Sequence, residues 1–346
     1  MKKDTLNLVV IGCSGMGKRH IKAVFENMRA NLYGICDIDQ SRVESAAALY
    51  HPEKTSNDWH DFVNDPQVDA AIIVMPDQLH LEMTETFLRA GKHVLCEKPM
   101  ALTVAECEKM IQAEKETGLK LMVGQVSRYA PSFAKAKEII DSGRIGELYF
   151  VESEYAHDYS VARGANDWRV SPERHAVIGG GCHAIDLLRW IAGDPTEVYA
   201  LSNHKCLKDW PVDDCSIAVM KFPNDVNGKV LTSIGCKREY TMRSCFYGTK
   251  GTIICDNRSN YLTLFECGDE PLGQHGNRYN IPQMIPVNIA GHNVVAEIKA
   301  FVNSILDETP LPISSMEGAS TVAVCNAVVE SCASGMPVKV KYPVVK

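Results

Sequence analysis

The chain has 346 residues, 45% of them hydrophobic and 23% charged, with a formal net charge of −7. That length suits two domains, each able to bury its own core, and the negative balance argues against nucleic acid or an anionic membrane as a partner. No apolar run reaches the ~18 residues a membrane helix requires, and the start MKKDTLNLVVIG holds too brief an apolar run for a signal peptide. Thirteen cysteines, an odd number, never fall in C-x-x-C spacing, so no zinc or thioredoxin-like motif is visible and no metal is expected. Reduced thiols in a cytoplasm fit that usage, with Cys36, Cys96, Cys255 and Cys325 acting as small hydrophobes inside apolar runs.

In chain order, an apolar run at 6–11 stops at Gly12, and Ile21, Val24, Phe25 and Met28 then follow at helical spacing. Further short runs stand at 31–37, 70–75, 93–96 and 120–123. Helical stretches begin near Gly15, Ser41, His80 and Thr103. Short apolar runs separated by amphipathic helices predict right-handed crossovers and a parallel sheet closing near Gly124. Beyond it, a helix around 133–141 leads to a strand near 148–155 and a polar loop at 156–174. A helix at 182–192 ends on the stop signal Gly193, Asp194, Pro195. Strands near 198–203, 215–222, 229–236, 243–247, 251–255 and 261–265 succeed one another without helices, which predicts an antiparallel or mixed sheet. Two helices close the chain, one with Val294, Ile298, Phe301 and Ile305 on a face, the other with Val322, Cys325, Val329 and Cys332. The fold class is α/β: a Rossmann-type parallel sheet domain over 1–124, then an α+β domain with a large open sheet over 125–346.

The strand, glycine turn and helix at 9–20 would aim backbone N–H groups at a phosphate. Asp37 stands twenty residues after Gly17, where a carboxylate accepts both ribose hydroxyls and repels a 2′-phosphate. The chain is therefore expected to hold NAD. Ser14 occupies the middle glycine position of G-x-G-x-x-G, a departure that the adjacent Gly15 can absorb through a shifted turn. Lys98, in CEKPMALT, follows the fourth apolar run, where ligands of open α/β sheets bind. It can polarise a substrate oxygen as a hydride leaves. His183 falls in the first turn of GGGCHAIDLLRW, where an imidazole can serve as general base. Asp186, three residues on, can orient the ring or anchor the helix.

The segments VIGCSGMGKRH, VMPDQLH, CEKP, GQVSRYAP, DWR, GCHAIDLLRW and YGTKGTIICD, in this order, resemble the Gfo/Idh/MocA oxidoreductases over essentially the whole chain. The resemblance implies an NAD-binding domain, a C-terminal α/β domain whose open sheet often mediates oligomers, and oxidation or reduction at a secondary alcohol carbon. It gives Lys98 and His183 as the catalytic pair. The expected cofactor set is Gly12, Ser14, Gly15, Met16, Gly17, Asp37, Met75, Pro76, His80, Glu97 and Lys98. Many relatives carry an aspartate four residues before the histidine; Gly179 stands there instead. Expected substrate contacts are Tyr155, His157, Asp158, Arg163, Trp168, Arg169 and Asp186, with Tyr159, Arg128, Tyr129 and His292 as lesser candidates. Arg19 and His20 are expected to tie the first helix to its surroundings. The expected substrate is a sugar, inositol or glycoside, oxidised for instance at C3 of a glucosyl unit, by a cytoplasmic homo-oligomer (dimer or tetramer). The alternatives are an NAD-cycling glycosidase, with Tyr155 or His157 as the second base it needs, and a non-catalytic NAD-binding regulator.

Overall fold

The computed structural model describes residues 3–160, 167–267 and 282–345. Backbone packing divides the chain into two units. The first opens with β1 (Leu6–Ile11), α1 (Gly15–Phe25), β2 (Ala30–Cys36), α2 (Gln40–Tyr50), β3 (Lys54–Ser56), α3 (His60–Val63), β4 (Ala70–Ile73), α4 (His80–Arg89), β5 (His93–Glu97), α5 (Val104–Thr117) and β6 (Leu121–Gly124). Its six strands are all parallel, in the order β3-β2-β1-β4-β5-β6. Strands β4 and β6 are buried at every residue and β5 at all but its first, as a parallel sheet covered on both faces requires. The order reverses between β1 and β4, which makes their carboxyl ends the crevice for a ligand. Helix α5 shows how local chemistry sets an element: Thr103 and Glu106 close a reciprocal capping box, and Gly118 ends it at φ 67°. Strand β3 was not legible in the sequence, because KTS has no apolar run and pairs only with β2 at the edge. Lys98 consequently follows the fifth strand, not the fourth.

The second unit holds α6 (Pro131–Asp141), β7 (Leu148–Ala156), α7 (Cys182–Ala192), β8 (Glu197–Asn203), β9 (Cys215–Lys221), β10 (Asn227–Ser233), β11 (Thr241–Gly248), β12 (Gly251–Asp256), β13 (Tyr261–Glu266) and β14 (Gln283–Pro286). With β15 (Val338–Lys339) they form a nine-stranded sheet, β14-β13-β12-β11-β7-β10-β9-β8-β15. Only β7 and β10 pair in parallel, so the sheet is mixed. Helix α7 spans the residues read from the sequence and ends at Gly193, φ 89°. Strands β14 and β15 are four and two residues long, too short to carry a periodic signal.

The expected second domain, 125–346, differs from the observed division. The units are Met1–Val126 with Val294–Val322 and Tyr342–Lys346, and Ser127–Asn293 with Ala323–Lys341. Helix α8 (Val294–Leu306) belongs to the first unit because its apolar face, with Ile298 and Phe301 fully buried, packs on α1. The tail returns there as well: Lys115 Nζ donates to Val345 O (2.9 Å) and Val344 N–H to Glu108 (3.0 Å). Helix α9 (Ser315–Ser334) contributes to both units. No described helix is long and apolar enough to cross a membrane.

Candidate active site

In the first unit, Gly12 leaves β1 at φ 104°, and a Cβ there would lie 2.2 Å from Val74 O. A Cβ on Gly17 would lie 1.9 Å from Gly12 O, so helix and turn pack backbone to backbone. Ser14 is the extended N-cap of α1, yet its side chain caps nothing, and a Cβ on Gly15 would meet nothing within 4 Å. Uncapped first-turn amides beside open space fit a pyrophosphate. Ser14 at the middle position is exposed, which is why that substitution leaves the turn intact. Met16 is half-buried two residues further on. Asp37, at the tip of β2, accepts from the Cys13 N–H (2.8 Å) and the Asp39 N–H (3.0 Å), with Arg42 at 3.5 Å. The carboxylate is thereby tied to the glycine turn.

Met75 and Pro76 are half-buried after β4. His80 is fully buried, with Nδ1 2.8 Å from Pro99 O and Nε2 3.0 Å from Met75 O. Both ring nitrogens are thus spent on backbone carbonyls. Glu97 ends β5, accepting from His20 Nε2 (2.8 Å) through one oxygen and from the Lys98 N–H (3.1 Å) through the other. Burial pushes the Glu97 carboxyl up, but the His20 hydrogen bond and the Lys98 charge outweigh it and hold it well below its usual value. Lys98 itself is half-buried. Glu297 of α8 is fully buried, neither carboxyl oxygen has a hydrogen-bond partner, and burial beside Glu97 pushes its carboxyl well above the ordinary range. One ligand atom each of His20, Glu97 and Glu297 lie within 4.8 Å of one another, the one such group among the described residues that could hold a metal ion.

In the second unit, a π-helical turn (Val177–Gly181) runs into α7 and presents His183. The three glycines have three occupants. Where a Cβ would stand, the Arg174 guanidinium lies 2.1 Å away at Gly179, the Tyr155 ring 2.5 Å at Gly180 and Thr232 Oγ1 2.3 Å at Gly181. The glycines therefore admit neighbouring side chains. His183 Nδ1 is 3.0 Å from Ser127 Oγ, and its ring stacks on Tyr155 at 6.1 Å and faces His292 at 5.4 Å. Tyr155 OH meets Tyr159 OH (2.9 Å) and His157 Nδ1 (3.2 Å), and Tyr240 OH meets His292 Nε2 (3.2 Å). Burial and the neighbouring Tyr159 push the Tyr155 phenol well above its usual value, so it stays protonated.

Among the expected substrate contacts, Tyr155 and His157 join this cluster, as do the lesser candidates Tyr159 and His292. Asp186 is fully buried, with both oxygens accepting from Arg128 at 2.8 Å; it anchors α7, and Ser127 is the partner found on the imidazole. Asp158 accepts from Ser160 (2.5 Å) and Lys237 (3.3 Å). Trp168 lies under the guanidiniums of Arg169 (4.2 Å) and Arg174 (4.9 Å). Arg163 lies outside the described residues. Ser127, Tyr240, Thr232 and Arg174 were missed, and only the glycine triplet signalled that something approaches there. All thirteen cysteines are free, and burial pushes the Cys13 and Cys36 thiols up to about 12.

Residues 6–125 match a family model described as an oxidoreductase family with an NAD-binding Rossmann fold, and residues 133–254 match the GFO/IDH/MocA C-terminal domain. The chain is 30% identical over 268 residues to inositol 2-dehydrogenase 2 of Saccharopolyspora erythraea, covering 76% of each. It is 26% identical over 325 residues to myo-inositol 2-dehydrogenase of Thermotoga maritima, covering 90% of this chain and 92% of that one. A solved levoglucosan dehydrogenase in complex with NADH superposes with a TM-score of 0.88 at 25% identity, over 98% of this chain and 100% of that one. Together with the glycine turn and Asp37, these findings establish that the chain is an enzyme of the Gfo/Idh/MocA family of NAD-dependent oxidoreductases.

Proposed function

We propose that the protein oxidises a secondary alcohol of a sugar, cyclitol or glycoside, with NAD as hydride acceptor. The observation that carries this reading is the hydrogen-bonded set of phenols and imidazoles around His183. A polyol presents a hydroxyl on nearly every carbon, each needing a donor or an acceptor, and Tyr155, His157, Tyr159, Tyr240 and His292 supply both. NAD, when bound, accepts the hydride at nicotinamide C4. His183 removes the hydroxyl proton at Nε2; the Ser127 hydroxyl donates to Met242 Sδ (3.7 Å), which leaves its oxygen to accept from Nδ1–H and favours that tautomer. Lys98 polarises a substrate oxygen and steadies the charge that develops on it. Gly12, Gly15 and Gly17 would accommodate the pyrophosphate, Asp37 would hold the adenosine ribose, and Met75 and Pro76 would serve the nicotinamide end. Relatives acting on inositol and levoglucosan support the substrate class. Oxidation at C3 of a glucosyl unit is one narrower form of the reaction.

The NAD-cycling glycosidase would need a base for a C–H proton, and a Tyr155 phenol kept protonated is poorly suited to that. The test is absorbance at 340 nm with NAD and myo-inositol, levoglucosan, D-glucose, methyl glucosides or a uronate. NADH formation with one of them is the expected result. Binding of NAD with no turnover on any of them would defeat the proposed substrate class.

The outward face of the nine-stranded sheet supports a homo-oligomer. Tyr199 and Leu201 of β8 lie opposite Val219 and Ile217 of β9, all four exposed, while Val198, Ala200, Ala218 and Met220 alternate with them into the core. A contiguous apolar face of this kind marks a protein interface. Ile217→Lys should lower the mass seen by light scattering. A cytoplasmic location fits thirteen free thiols.

A further inference from the structure

We propose that His20 and His80 are positioning residues for Lys98, bracing the peptide on either side of it from within the first unit. This inference rests on the assignment of Lys98 to catalysis. Lys98 lies between the two anchored residues: Glu97 before it is bonded to His20, and Pro99 after it offers its carbonyl to His80. Neither imidazole has any exposed surface, so neither can touch substrate or cofactor.

The geometry at His80 dictates its state. Carbonyl oxygens only accept, and two of them face the two ring nitrogens at 2.8 and 3.0 Å. Only the doubly protonated ring donates to both. Burial opposes that charge, but Cys96, Asp77 and the Pro99 carbonyl outweigh it, and the pKa is pushed up to about 10. His80 thus joins the peptide after β4, at Met75, to the peptide after β5, at Pro99. On the other side, Glu97 uses one oxygen on His20 and the other on the amide of Lys98 itself, so the carboxylate passes the hold of α1 to the lysine backbone. Behind this pair, burial beside Glu97 raises the Glu297 carboxyl, which favours the form that avoids two adjacent buried negative charges. A side chain reacting from the end of a strand needs its backbone fixed to a fraction of an ångström. Half-buried Lys98 gains that from these two neighbours.

The experiment is a double-mutant cycle. His80→Met and His20→Met remove the donors at similar volume, and His80→Gln and His20→Gln keep one. Activity is read with NAD and myo-inositol, or with the panel sugar turned over fastest. The Met variants should lose roughly 10–100-fold in kcat with the Kd for NAD changed less than about threefold, and the Gln variants should recover part of the loss. In a Lys98→Ala background the same changes should cost less than about twofold, because their effect passes through the lysine. Equal losses in both backgrounds, or a loss confined to NAD affinity, would overturn the proposal. If a Met variant fails to fold, the Gln variant carries the cycle. A readout without substrate is the dimethylamine resonance of Lys98 after reductive ¹³C-methylation, assigned with Lys98→Ala. It should shift or broaden in His80→Gln and His20→Gln, and an unchanged resonance counts against the brace. Stoichiometric divalent metal in the purified protein would also overturn it, since His20, Glu97 and Glu297 would then be a coordination sphere. Full activity in Lys98→Ala alone would instead defeat the role given to the lysine.

Discussion

Lys98 stands at the end of a parallel strand and His183 in the first turn of a helix, and the two turns are braced by different means. Around Lys98 the hold is polar: an imidazole–carboxylate pair on one side and an imidazole gripping two carbonyls on the other. At the turn before His183 close packing is added to such bonds: Arg174, Tyr155 and Thr232 are seated against three glycines, and Arg174 also donates to the Gly179 carbonyl. A polar brace fails through unpaired buried groups, whereas a steric one fails through overpacking. The same size of substitution should therefore read out differently in the two units.

The largest effects are expected at the two reactive groups. Lys98→Ala and His183→Ala should each lower turnover by about 10²–10⁴ while leaving NAD affinity nearly intact. Steady-state kinetics with titration of NAD checks this, and an unchanged kcat removes that residue from the mechanism. Next comes the anchor of α7. Asp186→Asn breaks a buried bidentate pair with Arg128 and should cost roughly 3–5 kcal/mol in denaturant unfolding. A much smaller cost would mean that α7 is held by packing alone, and the comparison would sharpen further.

Glycines in the two units give a paired test. Gly180→Ala puts a methyl 2.5 Å from the Tyr155 ring and should cost about 1–3 kcal/mol with a lower kcat. Gly15→Ala meets no protein atom within 4 Å, so its stability should change by less than ~0.5 kcal/mol, with any loss falling on the Kd for NAD. Equal destabilisation by both would contradict the steric reading of the second unit. The smallest effect concerns Glu297, whose carboxyl is raised in the folded state above the ordinary value of 4.5. Below that value both states hold the proton and nothing is lost. As pH rises above it, the unfolded state ionises and the folded state does not, so stability falls by up to ~1.4 kcal/mol per pH unit. Glu297→Gln removes this slope, so its Tm advantage over the parent should grow from pH 5 to pH 8. A constant difference would show that Glu297 ionises in place.

Much of this molecule was readable because its signals are local. The run before Gly12, the twenty-residue spacing from Gly17 to Asp37 and the helix ending at Gly193 each lie within a short continuous stretch of chain. Short edge strands carried no such signal. The glycine triplet announced a close approach without revealing what approaches, because Arg174, Tyr155 and Thr232 come from separate elements. The helical spacing of Asp186 left open whether it orients the imidazole or anchors the helix; its bonds to Arg128 make it the anchor, and Ser127, 56 residues from His183, is a partner of the ring.

What the chain determined by itself is its alternation of strands and helices and its glycine turn, since these follow from backbone sterics and hydrophobic period. Which buried groups neutralise, orient or exclude one another was decided only by tertiary structure. A hydrogen bond between His20 and Glu97, or a helix from beyond residue 290 packed on the first one, depends on distances across the fold that no spacing along the sequence encodes.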